Sequence, residues 1–436
     1  MRHPALFAVA VLCAGCTSMA PPYQQPRLPV PEHYEGARAT TPTLTVADLD
    51  WRSGFTDPAL QDLIERALRH NRDLRVATLR VEEARAAYGI QRADQWPSAQ
   101  ATLGMQRSRL PALPPLTRQP TLLTGYSAML ASSSWELDFW GRVRSLEDSA
   151  LERFLASDEA RRAVTLSLIT HVADSYLALR ELDERLTLAR RTVESRQASL
   201  RIFTRRQEVG ASSRLELTQV QTLLAQAQAL SAQLGQQRAA QAHALSWLVG
   251  DEAQPTVPAG ELADTAIAPV VEAGLPSALL LDRPDLIAAE HQLRAAHAQI
   301  GAARATFFPT IALTGGGGSA SSELGQLFDL NGRAWTLMPQ ISLPIFDGGR
   351  RQTNLTLAEV RRDIAVAQYE QAIQGAFRDV QDALSAQSAT QALLAIQRQA
   401  LQAQSERARL ARLRYDHGAT TFLEVLDAER DLLTAE

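Results

Sequence analysis

The sequence predicts a mainly α-helical chain carrying membrane β-strands, made of two tandem repeats and closed into a barrel only as a trimer. Three observations predict this fold class. Two very long stretches are almost free of helix breakers: no glycine or proline occurs from Arg142 to Val209, and only Gly375 from Arg351 to His417. Segments at residues 99–108 and 334–343 alternate apolar and polar side chains with the period of a strand. The same order of features then recurs at offsets of 212 and 208 residues.

Composition narrows the function before any element is placed. The 436 residues carry 48 acidic and 44 basic side chains, a net charge of −4, and every base is an arginine. A mildly acidic chain without basic runs does not look like a nucleic-acid binder, whose phosphate contacts need clustered positive charge. The absence of lysine excludes a Walker-type phosphate loop, a Schiff-base lysine and a Ser-Lys dyad. Cys13 and Cys16 are the only cysteines, so the body of the chain has no disulfide or thiolate zinc site. Aromatics are 6% of residues, which favours long helices over a broad globular core.

Residues 1–15 read as a signal peptide. Arg2 and His3 give a polar start, and the apolar run Ala5 to Ala14 is too short to span a bilayer. It ends in Cys13-Ala14-Gly15-Cys16, which resembles a bacterial lipoprotein signal with Cys16 as the lipidated residue. Cys13 stands where such signals usually have leucine, and Thr17 stands where aspartate would favour the inner membrane. The other reading is an ordinary secretory signal that leaves Cys16 a free thiol. Residues 16–50 form an extended lead-in, punctuated by proline between Tyr23 and Pro42.

The repeats set the domain plan: a first repeat at 51–250, a linker at 251–276 rich in Pro, Ala and Gly, and a second repeat at 277–436. At the 212 offset Asp73-Leu74 matches Asp285-Leu286, Gly89 matches Gly301, Arg92 matches Arg304 and Pro97 matches Pro309. At the 208 offset Glu208-Val-Gly-Ala-Ser-Ser-Arg-Leu-Glu216 matches Asp416-His-Gly-Ala-Thr-Thr-Phe-Leu-Glu424. Each repeat reads as helix, two strands, a very long helix, a turn and a returning helix. In the first long helix Leu179, Leu182, Leu186, Ala189, Val193, Leu200 and Phe203 follow a coiled-coil seam that Arg196 breaks once. In the second, Ile373, Phe377, Val380 and Leu384 form one stripe.

In the strand at 99–108, Ala99, Ala101, Leu103 and Met105 alternate with Gln100, Thr102, Gly104 and Gln106. In the strand at 334–343, Trp335, Leu337, Pro339, Ile341 and Leu343 alternate with Ala334, Thr336, Met338, Gln340 and Ser342. That is the pattern of a barrel strand with one face to lipid and one to a wet lumen. Pro309 to Ser322 is glycine-rich, and Leu122 to Leu137 alternates poorly. Trp96, Trp140, Phe307, Phe308 and Phe346 fall where helix meets strand, as an interfacial girdle or as corner packing. Arg109 to Pro120 and Ser321 to Asn331 are then the external loops. Four strands cannot close a barrel and open edges are not tolerated in lipid, so three copies giving twelve strands are required. Three sets of long helices would wrap a hollow tube alongside.

These residues resemble the TolC/OprM-like outer-membrane efflux proteins, in the NodT-type lipoprotein branch. The matching motifs are Phe55-Thr-Asp-Pro-Ala-Leu60, Ala67-Leu-Arg-His-Asn-Arg-Asp-Leu74, Trp135-Glu-Leu-Asp-Phe-Trp-Gly-Arg142, Leu343-Pro-Ile-Phe-Asp-Gly-Gly-Arg350 and the paired Gly-Ala-Ser/Thr segments. The resemblance implies a homotrimeric β-barrel on an α-helical tunnel across the periplasm. Its implied partners are a periplasmic adaptor protein, an inner-membrane transporter of the resistance-nodulation-division (RND) type and outer-membrane lipid.

No catalytic constellation competes, and no enzyme activity, cofactor or metal is expected. His291 and His297 are six apart, off metal-ligand spacing, and read as solvated helix residues. The turns at Val209-Gly210-Ala211-Ser212-Ser213 and His417-Gly418-Ala419-Thr420-Thr421 must reverse the chain, with glycine supplying left-handed backbone. By resemblance they form the tip that meets the adaptor, through Val209, Gly210, Ser213, His417, Gly418 and Thr421. The resemblance also places Glu216, Tyr415, Glu424 and Asp427 at the periplasmic gate, with Glu424 and Asp427 facing the lumen. An acidic, solvated helix start that suits the helix dipole is the competing reading. The family's arginine after the tip glycine is Thr420 here, which puts the usual salt-bridge lock in question.

The expected function is passive conduction of small molecules through an outer-membrane duct energised by a partner pump. A duct for protein secretion and a non-conducting trimeric scaffold lipoprotein are the alternatives. One expectation concerns the second repeat. By the 208 offset Glu436 corresponds to Gln228, whereas the first returning helix continues to Gly250. The second repeat is expected to be C-terminally incomplete, and this form to trimerise or export weakly.

Overall fold

The computed structural model describes residues 19–31, 34, 50–112, 119–251 and 282–436, without the side chains of residues 133 and 330. Cys16, the signal segment, residues 35–49 of the lead-in, residues 113–118 of one loop and all of the linker after Asp251 lie outside the described residues.

Three helices open the described body: α1 (Trp51–Gly54), α2 (Pro58–His70) and α3 (Arg72–Ala93). Strands β1 (Gln100–Leu110) and β2 (Thr121–Glu136) lead to α4 (Arg142–Glu208) and α5 (Arg214–Val249). The second half gives α6 (Pro284–Ala305), β3 (Thr310–Ser321), β4 (Arg333–Ser342), α7 (Arg350–Asp416) and α8 (Phe422–Ala435). Adding 212 to both ends of α3 gives α6, and adding 208 to both ends of α4 gives α7. Each long helix has 67 residues, roughly 100 Å at ~1.5 Å per residue. Contacts group the chain into two compact units, and each unit draws on both repeats.

The first unit holds residues to Pro29, Thr78–Ala160 and Arg283–Ile373. Its sheet is antiparallel throughout, in the order β1-β2-β3-β4, so β1 and β4 are its free edges. The register gives the two faces different characters, with Met129 and Met338 as exceptions on the small polar face and Ser132, Ser319 and Ser321 on the apolar one. Leu103, Met105, Tyr126, Ala128, Leu130, Leu313, Trp335, Leu337 and Ile341 share one face. Thr102, Gly104, Gln106, Ser127, Gly316, Gly318, Thr336 and Gln340 share the other. Trp335 is 81% exposed and Leu103 79%, so the apolar face is bare. On the small-residue face a Cβ at Gly316 would lie 2.8 Å from the Cβ of Ala131, which explains the glycine run as close strand approach.

The poor alternation read from Leu122 to Leu137 has a physical cause. A bulge between Ser132 and Trp135 inserts one residue opposite β3, with Ser134 at φ 53° and its N–H donating to Thr314 Oγ1 at 3.0 Å. The insertion changes the phase, so even-numbered residues before it and Trp135 after it share the apolar face.

The lead-in lies along α6. Tyr23 Oη donates to Glu290 at 3.1 Å, and the Arg294 guanidinium stands 5.2 Å from its ring centre. Burial, then Glu290, pushes the Tyr23 phenol up to about 12. A Cβ on Gly301 would meet Ala20, so the groove that seats the lead-in needs glycine. The two histidines of α6 are not solvated, contrary to the sequence reading. His297 Nε2 is 2.8 Å from the Pro21 carbonyl, and His291 Nδ1 is 2.6 Å from Glu152 Oε2. Both are half-buried because the lead-in and α4 pack over the helix face that carries them.

The second unit holds Val30–Ala77, Arg161–Asp282 and Gln374–Glu436. Its main core packs Leu60, Leu63, Ile64 and Ala67 of α2 against Leu168, Val172, Tyr176 and Leu179 of α4 and Leu245 and Val249 of α5. Asp57 caps α2 through the Ala59 N–H at 2.9 Å and accepts from the Tyr176 hydroxyl at 2.5 Å. Buried Asn71 donates to the Leu248 carbonyl and accepts from the Leu74 N–H, which ends one helix and starts the next. Gly250, at φ 72°, closes α5 where a Cβ would lie 2.8 Å from the His70 carbonyl. Farther along α4 the seam residues Leu186, Ala189 and Phe203 are buried, and so is Arg196.

Candidate functional site

The two hairpin turns of the second unit have the same backbone. Each long helix ends in a Schellman motif, which satisfies its last carbonyls. In the first, Ala211 N–H donates to Arg206 O at 2.7 Å and Gly210 N–H to Gln207 O at 3.1 Å. In the second, Ala419 N–H donates to Arg414 O at 2.8 Å and Gly418 N–H to Tyr415 O at 2.9 Å. Gly210 at φ 74° and Gly418 at φ 72° take the left-handed position that an L side chain would strain. Val209, Gly210, Ser213, His417, Gly418 and Thr421 are all exposed.

The returning helices start differently, although their sequences match. Ser213 and Glu216 form a capping box at the head of α5: Ser213 Oγ accepts from the Glu216 N–H at 3.1 Å, and Glu216 Oε2 accepts from the Ser213 N–H at 2.8 Å. The Ser213 backbone N–H and the Ser212 hydroxyl hold the Glu216 carboxyl below its ordinary range. In the second hairpin Thr421 makes no side-chain cap. Glu424, the counterpart of Glu216, instead accepts from Arg414 Nη1 at 2.8 Å and from the Thr420 hydroxyl. Asp427 pairs with Arg430 at 3.2 Å. Both carboxylates therefore carry arginine partners within this chain and remain about two-fifths exposed, Glu424 at 43% and Asp427 at 44%.

Between the hairpins lies a small aromatic core. Phe203 of α4 packs on Phe422 of α8 with ring centres 4.6 Å apart, and Tyr415 packs on Phe422 at 5.0 Å. Arg206 donates to the Tyr415 hydroxyl and covers the Phe203 ring. On the far side of this cluster Arg196 Nη1 meets Glu429 Oε2 at 2.7 Å. Sequence reading missed Arg206, Arg414 and the Arg196–Glu429 pair. Two signals were present: Arg206 and Arg414 occupy equivalent repeat positions, and Arg196 interrupts an apolar seam.

The junction aromatics divide into two kinds. Trp140 stacks on Phe308 at 4.7 Å and its indole N–H donates to the Pro309 carbonyl at 2.8 Å, so this pair packs the corner. Phe307 lies under the Arg351 guanidinium at 5.6 Å. Trp96 is 72% and Phe346 90% exposed. Among the described residues no cluster of His, Cys, Asp or Glu has the geometry of a metal site, and no helix is long and apolar enough to cross a membrane.

A four-stranded sheet with one bare apolar face and one small polar face, continued by very long helices, defines one protomer of an outer-membrane channel. Comparison with known proteins agrees. The family model described as outer membrane efflux protein matches residues 63–251 and 275–436. The chain is 41% identical to the outer membrane protein OprJ of Pseudomonas aeruginosa over 434 residues, 99% of this chain and 91% of that one. It superposes with a TM-score of 0.91 on a crystal structure of a membrane protein from Pseudomonas aeruginosa, at 40% identity over 96% of this chain and 95% of that one. With the open state of the MtrE outer membrane channel of Neisseria gonorrhoeae the TM-score is 0.88, at 36% identity over 96% and 93% of the two chains.

The chain belongs to the outer membrane efflux protein family. It has the fold class read from its sequence, in which four strands per chain are one third of a trimeric twelve-stranded barrel joined to tunnel helices. Its place is the outer membrane, reaching into the periplasm, and the family is one of transport ducts rather than enzymes.

Proposed function

We propose that the protein is the passive outer-membrane duct of a tripartite efflux system, carrying drugs or other small molecules outward. They would arrive from a periplasmic adaptor protein and an RND-type inner-membrane transporter, which supplies the energy. The observation that carries this reading is the two-faced sheet: its register gives a mainly apolar face for lipid and a mainly small or polar face for a water-filled lumen. The relatives support it, since the chain is 40% identical to the probable efflux pump outer membrane protein TtgC of Pseudomonas putida.

The paired glycine turns are the proposed adaptor contact, because six exposed residues there sit on rigidly capped backbone. Glu216, Tyr415, Glu424 and Asp427 are the proposed gate residues. Cys16 is the proposed lipid attachment point. Purified protein in planar bilayers should give discrete conductance steps, and expression with a cognate pump and adaptor should restore drug resistance to an efflux-deficient host. A protein that forms trimers but never conducts would be a scaffold, and the duct reading would fail.

A further inference from the structure

The apolar face of the sheet ends in arginine. Cross-strand partners share a face, so the face of Leu103, Met105 and Tyr126 continues through Arg107, paired with Thr124, and Arg109, paired with Leu122. On the other edge, the face of Trp335 and Leu337 begins at Arg333, paired with Ser319. All three arginines lie at the loop end of the strands, opposite the end that joins α4 and α7. They are exposed, and among the described residues none has an ion pair or side-chain hydrogen bond.

Their height is set by the strand. The apolar positions Trp335 to Leu343 cover about 27 Å of strand at ~3.4 Å per residue, or roughly 20 Å of height at the ~40° tilt of such barrels. The hydrocarbon band of an outer-membrane barrel is ~25 Å tall, so Arg333 falls at its boundary with the headgroups. The helices leave the opposite end toward the periplasm, which makes this the outer leaflet.

The edges matter as much as the height. β1 and β4 are the sheet's two free edges, so closing the barrel seats β1 of one copy beside β4 of the next. Each seam then has Arg107 and Arg109 on one side and the next copy's Arg333 on the other, all at the loop end of the same face. Below them on the same face lie Leu103, Met105, Leu337 and Ile341, a surface for acyl chains. Guanidinium groups bind phosphate bidentately and are weakly hydrated, which suits a boundary site.

We propose that each seam binds a phosphorylated glycolipid of the outer leaflet, with Arg107, Arg109 and Arg333 on its phosphates and its chains along the apolar stripe. The site rests on the outer-membrane placement and not on conduction, because these side chains lie on the face away from the lumen.

The test uses purified trimer in a non-ionic detergent, with bound lipid counted by native mass spectrometry. Bis-phosphorylated lipid A should bind about tenfold more tightly than the same lipid with its phosphates removed, and more tightly than phosphatidylglycerol. R107Q/R109Q/R333Q should lose most of that preference while keeping wild-type conductance, and the triple lysine variant should keep part of it. Equal binding of lipid A with and without phosphates, or parity with phosphatidylglycerol, would overturn the assignment. So would a glutamine variant that binds like wild type. If the glutamine variant fails to assemble, the comparison of lipids on the unaltered protein decides.

Discussion

Arg196 of α4 and Glu429 of α8 are 233 positions apart in sequence, and their side chains meet at 2.7 Å with the guanidinium only 5% exposed. A long helix that otherwise presents leucine and alanine to its neighbours thus carries one charged contact to the other hairpin. Together with Arg206 and Tyr415, it brackets the Phe203–Phe422 cluster.

Removing one partner should loosen the second hairpin. R196Q or E429Q should each cost about 2 kcal/mol, the scale of a hydrogen bond between charged groups. Trimers of either variant should dissociate at lower temperature on semi-native gels and show more frequent openings in bilayers. The charge swap R196E/E429R should recover part of both. Additive damage in the swap would show that the two residues act separately.

The cap at Glu216 predicts a pH dependence with a definite sign. Its folded pKa lies below the unfolded value because the Ser213 N–H and Ser212 hydroxyl bond the carboxylate. The stabilisation is therefore complete above the unfolded range near pH ~4.3 and is lost as pH falls through the folded value. Amide exchange at residues 214–217, corrected for intrinsic rate, should quicken on acidification below that range. S213A should quicken it at every pH, at a cost of about 1 kcal/mol.

Glu424 and Asp427 should make the closed entrance cation-selective and sensitive to block by trivalent cations. E424A/D427A removes fixed negative charge and takes from Arg414 its carboxylate partner, while Arg430 keeps its pair with Asp431 at 3.0 Å, so conductance should rise and block should weaken. Unchanged selectivity and block in the double variant would place these carboxylates away from the lumen.

Cys16 should be the mature N-terminus and carry acyl chains. Labelling with palmitate should disappear in C16S, while part of that variant still reaches the outer membrane through its barrel. Persistent label would exclude this site.

Helices were the most legible part of the sequence. The reading of Arg142 to Val209 differs from the observed α4 by one residue at its C-terminal end, and that of Arg351 to His417 from α7 by one residue at each end. Long runs without glycine or proline leave little else for the backbone to do. β1 and β4 were legible because alternation is a local signal. β2 was not, because the bulge at Ser132 to Trp135 changes phase in mid-strand and averages the pattern away. The histidines were misread because their partners, Glu152 and Pro21, are 139 and 276 positions distant. The same holds for the heads of the two returning helices: that Glu424 would take Arg414 while Glu216 closes a capping box depends on side-chain geometry that two matching nine-residue segments do not reveal.

The equal length of α4 and α7 has a consequence for how this chain can change. Each residue added to an α-helix turns everything beyond it by about 100°. One inserted residue in α4 would rotate the Gly210 turn away from the side it shares with the Gly418 turn, and would move Arg206 off Tyr415. Compensation would need a second insertion in α7, 208 positions on, or two or three more nearby to complete a turn. The hairpins between helix and long helix escape this coupling: the interval from Ala93 to Arg142 exceeds that from Ala305 to Arg350 by four residues, and the helices on either side still correspond end to end. Length variation should therefore collect in the strands and loops, while the two long helices remain matched in residue count.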